Sequence, residues 1–133
     1  MKLVVDSNRL IAALIKDSSS RAIITNHKHS FLLPEFSLEE INKYKSYICG
    51  KAKLDSATFD TLLSSLLLNI EVIAREQYAS KLQIAKELLT ERDLKDVPFL
   101  ALALSKETDG IWSDDKDFLI QNKVKIFKTE DLI

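Results

Sequence analysis

The run VPFLALAL, Val97 to Leu104, most narrows what this chain can become, because it holds eight successive residues without one polar side chain. A helix that is apolar all round has to be covered on every side, so this one lies against a sheet and beneath further chain. Short apolar runs elsewhere supply the strands: Leu3-Val4-Val5, Phe31-Leu32-Leu33 closed by Pro34, Ile70 to Ile73, Ile111-Trp112, and Val124 to Phe127. Between them, capping residues and helical spacing predict helices from Asn8 to about Ile15, Ser19 to about His27, Ser37 to about Tyr47, Asp55 to Leu68 and Glu76 to Leu89, with a short helix beginning near Asp115. Strands that alternate with helices imply right-handed crossovers and a parallel sheet covered on both faces, an α/β fold. Only two Gly and two Pro interrupt the 133 residues, so we expect one domain without linker or repeat.

In open α/β sheets, ligands gather at the carboxyl ends of the strands, and here those ends are acidic. Asp6 follows Leu3-Val4-Val5 directly, and Asp114-Asp115 follow Ile111-Trp112 after one serine. Glu40, in PEFSLEEI, and Asp96, which opens the apolar helix, reach the same rim from helix starts. Like charges gathered in one pocket need protons or cations to neutralise them. Oxygen donors without a nearby His or Cys select Mg²⁺ or Mn²⁺, the constellation of metal-assisted phosphodiester hydrolysis. Asp93 and Asp117 read either as solvated charges or as hydrogen-bonding partners of the ligands, and Asn8 and Ser113 either bond a ligand carboxylate or serve a helix start and a turn.

Local readings compete with this one. Ser37-Leu38-Glu39-Glu40 has the form of a capping box. Asp6, Asp96 and Asp115 can each cap a helix, and Asp114 reads as a solvated neighbour. A phosphoacceptor receiver domain also collects acids around Mg²⁺, but its acceptor aspartate is missing where Ile70 to Ile73 runs into Ala74-Arg75. A non-catalytic interaction module stays open as the alternative function.

The totals exclude more than they assign. Nineteen Lys+Arg against twenty Asp+Glu leave a net charge of −1, so nucleic acid has to be met by a local patch. Arg9, Arg21, Lys43 and Lys116 stand close to the acidic motifs in sequence and are the candidates. A lone Cys49, best read as packing, together with His27 and His29, fits no zinc pattern. The expected setting is reducing and cytoplasmic, with no signal peptide and no apolar run of membrane-spanning length.

Four stretches, taken in order, resemble a known family. VVDSN with Asp6, LPEFSLEEI with Glu40, DLKDVPFLALAL with Asp96 and WSDDKDF with Asp115 are similar in order and spacing to the acidic motifs of PIN domains, most of all prokaryotic and often archaeal ones. The resemblance covers essentially the whole chain. It implies a three-layer α/β/α sandwich around a parallel sheet of about five strands. It also implies Mg²⁺- or Mn²⁺-dependent endoribonuclease activity on RNA, single-stranded by expectation, and frequent homodimers. Asp6, Glu40, Asp96 and Asp115 match the metal-binding acids, Asp117 a further acid, and Asn8 and Ser113 the polar neighbours. The family includes toxins with an antitoxin partner, RNA-processing enzymes, and domains without observed cleavage.

Overall fold

The computed structural model describes residues 1–133. Five strands, β1 (Lys2–Val5), β2 (Ser30–Pro34), β3 (Ile70–Ile73), β4 (Gly110–Trp112) and β5 (Ile126–Phe127), form one sheet in the order β3-β2-β1-β4-β5. Every pairing is parallel. Successive residues of a strand face opposite sides, yet Leu3, Val4 and Val5 are all completely buried. Both faces of the central strand are therefore covered, as the α/β/α sandwich requires.

One covering layer is α6 (Leu82–Leu88) with α7 (Val97–Ser105), and α7 packs directly on β1, β2 and β4. The VPFLALAL run is thus enclosed by sheet and helix, and Val97 through Ala103 are all buried. The remaining helices are α1 (Ser7–Ile15), α2 (Ser19–Thr25), α3 (Glu35–Lys43), α4 (Lys45–Ala52) and α5 (Ser56–Leu67); α1 packs against all four others. No helix is long and apolar enough to cross a membrane.

Several expected elements come out differently. The helix expected from Ser37 begins at Glu35, directly after Pro34, and stops at Tyr44, where ψ of 10° breaks it into α3 and α4. The helix expected from Glu76 to Leu89 is two 3₁₀ turns, Arg75–Gln77 and Ala79–Lys81, and then α6. Tyr78 sits at the kink between the turns with φ −124° and is fully buried, so seating its ring in the core displaces the straight helix. The last strand loses Val124 and Lys125 as strand residues. The Gln121 side chain captures the amides of Lys123 and Val124 and donates to the Val124 carbonyl, which diverts that backbone from the sheet. The helix expected near Asp115 is a 3₁₀ turn, Lys116–Ile120.

Chain order leaves β1 between β2 and β4, so the chain reverses its direction of travel across the sheet beside β1. Such a switch point opens a crevice at the carboxyl ends of the two strands. Asp6 and Ser113 stand at those ends.

Candidate metal centre

Asp6 leaves β1 and caps α1, but its bond to the Asn8 amide is long at 3.4 Å. Its stronger partner is Ser113, just past β4, whose hydroxyl donates to Asp6 Oδ2 at 2.7 Å. The same hydroxyl accepts from the Asp115 amide at 3.0 Å, so one serine ties the ends of both central strands together. Asp115 accepts from the Asp117 amide and caps the 3₁₀ turn that follows.

Glu40 lies inside α3, not at a helix start. Ser37 does not form the capping box. It is fully buried, and its hydroxyl meets that of Ser7 at 2.6 Å. Ser7 in turn donates to Glu40 Oε1 at 2.8 Å. The two serines turn the Glu40 carboxylate toward α1 and away from its own helix end.

Asp96 occupies the cap position of α7 without making a cap hydrogen bond. Only 6% of it is exposed, and its Oδ2 is buried with no partner at all. An orphaned buried carboxylate oxygen costs several times an ordinary hydrogen bond unless something neutralises it.

All four acids, together with Asn8 and Asp93, line one cleft of about 340 Å³. Carboxylate oxygens of Asp93, Asp96 and Asp117 lie within 4.8 Å of one another, so Asp96 belongs both to the cleft and to this tighter triad. Burial and neighbouring charge act together on Asp96. Burial, and then Asp115, Asp93, Asp6 and Asp117 in that order, raise the Asp96 carboxyl from its ordinary 3.8 to about 8. Burial also pushes the Asp6 carboxyl up against the opposing Ser113 bond, and Glu40 up against the opposing Ser7 bond and Lys95. At neutral pH a proton held on Asp96 offsets part of the repulsion among these acids, and a cation bound there would take its place. The cleft's donors are all oxygens, and His27 and His29 line a different cavity at the amino ends of the strands. The set fits a hard divalent cation such as Mg²⁺ or Mn²⁺.

A pH effect follows from Asp96. Its folded pKa lies above the unfolded value, so the folded state holds the extra proton and the associated stability is present in acid. That stability is lost as pH rises from 3.8 toward about 8. A cation competes for the site with that proton. The Mn²⁺ concentration that raises the melting temperature is therefore expected to be at least about tenfold higher at pH 6 than at pH 8. Thermal-shift titrations at both values check this, and equal midpoints would count against it.

The basic candidates divide. Arg9 is already spent on Asp114, with Nη1 2.9 Å from the carboxylate, and is not a free phosphate contact. Arg21 bonds the Ala13 carbonyl and lines a cavity that holds none of the acids. Lys116 is exposed beside Asp115, and Lys43 lines a cavity that shares Glu40 with the acidic cleft. Asp114 is not merely a solvated neighbour. It accepts from the Thr129 amide at 2.9 Å and from the Thr129 hydroxyl at 2.6 Å. Although its partial burial pulls its pKa upward, these bonds and Arg9 outweigh that and hold the carboxyl below its ordinary value. Its role is to clamp the chain one residue before Asp115.

The sequence reading missed Ser7, Tyr44, Tyr47 and Lys95, all of which line the acidic cleft. For the tyrosines a signal existed, since KYKSY alternates cations with aromatic rings.

A PIN-domain family model matches residues 4–132, while no curated protein sequence matches the chain. That match begins in β1 and ends in the final turn, so it takes in every element that carries an acid of the cleft: the chain belongs to the PIN-domain family.

Proposed function

We propose that this PIN domain, read as a single domain over residues 1–133, is a divalent-metal-dependent endoribonuclease that hydrolyses single-stranded RNA in the cytoplasm. The observation that carries the proposal is Asp96, buried and without a partner for Oδ2, its carboxyl raised first by burial and then by four neighbouring aspartates. A helix cap or a surface charge has no use for such an oxygen, whereas a metal ligand does.

Asp6, Glu40, Asp96 and Asp115 would hold Mg²⁺ or Mn²⁺, with Asp93 and Asp117 beside them. When bound, the metal supplies the positive charge that favours attack of water on phosphorus and stabilises the departing oxygen. The chain's own contribution is preorganisation. Ser113 fixes the Asp6 carboxylate relative to the Asp115 backbone, Ser7 fixes Glu40, and the Asp114 clamp on Thr129 keeps the β4 end in register. Lys43 and Lys116 remain available for phosphates, and Lys95 lies at the cleft itself.

The family resemblance extends this reading to a toxin with an antitoxin that covers the cleft, or to an RNA-processing enzyme, and to a homodimer. The test is cleavage of a labelled single-stranded RNA with Mn²⁺ against the same reaction with EDTA. Cutting confined to the Mn²⁺ arm is the expected result. No cutting, together with a melting temperature indifferent to Mn²⁺, would overturn the proposal in favour of a non-catalytic interaction module.

A further inference from the structure

Next to the acidic cleft lies a second cavity of about 400 Å³, lined by Phe36, Lys43, Tyr44 and Leu94 among others. The two share a wall made of Glu40, Tyr44 and Lys95. They differ sharply in chemistry. The first gathers carboxylates, whereas the second sets rings and an aliphatic side chain beside two ammonium groups, with Glu39 and Glu40 also on its lining.

Tyr44 is the centre of this second surface. It stands at the break between α3 and α4, held from both sides, because its amide bonds the Glu40 carbonyl at 3.0 Å and its carbonyl accepts from the Ile48 amide at 2.9 Å. Lys43 Nζ and Lys95 Nζ lie 5.6 and 5.8 Å from its ring centre, and Lys95 also donates to its hydroxyl at 3.4 Å. Tyr44 is 36% exposed, and Leu94 is 62% exposed. Tyr47, one helical turn on, is 62% exposed and lines the acidic cleft. The lysines steady the ring, and the ring and Leu94 still leave apolar surface open to solvent. A nucleotide fits that surface: its base has a flat apolar face for an aromatic ring, and its phosphate needs a cation.

We propose that Tyr44, flanked by Lys43 and Lys95, forms a nucleobase subsite that seats the nucleotide adjoining the phosphate placed at the acids. The proposal rests on the RNA-binding part of the function proposed above. The base lies against Tyr44 and Leu94, and the Lys95 ammonium, which sits at the wall between the two cavities, meets the connecting phosphate. Only an unstacked base can enter, so the subsite selects single-stranded RNA over duplex. Stacking needs a flat face alone, so any base is accepted.

Equilibrium binding of a fluorescent oligouridylate, measured by anisotropy in EDTA, tests this, with Mn²⁺-dependent cleavage followed separately. Tyr44→Ala is expected to weaken binding by about tenfold to a hundredfold, while Tyr44→Phe binds as the wild type does. The Mn²⁺ shift in melting temperature serves as the folding control and persists in both. If Tyr44→Ala binds as well as the wild type while the wild type cuts RNA, the subsite is overturned and the nuclease reading stands. If Tyr44→Ala loses binding but the wild type never cuts, the subsite stands as an RNA contact and the nuclease reading falls.

Discussion

Asp96→Asn is expected to lower Mn²⁺-dependent RNA cleavage by about a thousandfold and, in the same protein, to raise the melting temperature of the metal-free form at pH 8. The first effect comes from removing a charged oxygen donor. A catalytic metal contributes several kcal/mol of charge stabilisation, and each ~1.4 kcal/mol is a factor of ten in rate. The second effect comes first from burial of the Asp96 charge and then from repulsion by Asp115, Asp93, Asp6 and Asp117. Removing that charge is expected to release about 1 kcal/mol or more, or about 4 °C for a domain of this size. An ordinary destabilising substitution lowers both activity and melting temperature, so the opposite signs are diagnostic. Cleavage kinetics and thermal melts on one preparation read both. A variant that cuts like the wild type, or one that melts lower without metal, would remove Asp96 from the centre of the mechanism.

Gly110→Ala should be the most damaging small change in the sheet. Gly110 has φ of 153°, and a Cβ there would stand 2.2 Å from the Lys125 carbonyl oxygen and 2.9 Å from a Phe127 ring carbon. The first obstacle is backbone and cannot rotate away. It is also the carbonyl that accepts from the Ile111 amide at 3.0 Å, one of the bonds tying β5 to β4. Strain and overpacking together amount to about 3 kcal/mol, which corresponds to a fall of roughly 10 °C in melting temperature. Thermal denaturation measures it, and a variant within about 2 °C of the wild type would refute the clash.

What the sequence made legible was whatever depends on local pattern. Apolar runs that end at an acid put Asp6 after β1 and Asp115 after β4, and the unbroken apolar run of α7 forced a covered sheet. What it concealed depends on partners far along the chain. Ser37 has the spacing of a capping residue, but α3 starts two residues earlier and its hydroxyl is taken by Ser7, 30 positions away. Asp114 looks solvated until Trp112 pairs with Phe127, because that register brings Thr129 to Asp114. Tyr78 breaks a helix that its spacing supports, since burying the ring outweighs helical propensity. The Asp93–Asp96–Asp117 proximity likewise comes from the loop before α7 meeting the turn after β4, which no local pattern displays.

The bond from Ser113 to Asp6 spans 107 positions of sequence, and this sets a timetable for synthesis. Chains leave the ribosome amino end first. Strands β1, β2 and β3 are neighbours in the sheet and can pair early, with Asp6 and Glu40 already in place. The other wall of the cleft waits for β4, which follows α7 in the chain. Until β4 has been made the acidic pocket is not assembled, and a chain that stops before Asp115 lacks it. Strand order alone thereby makes assembly of the cleft depend on chain that extends through Asp115.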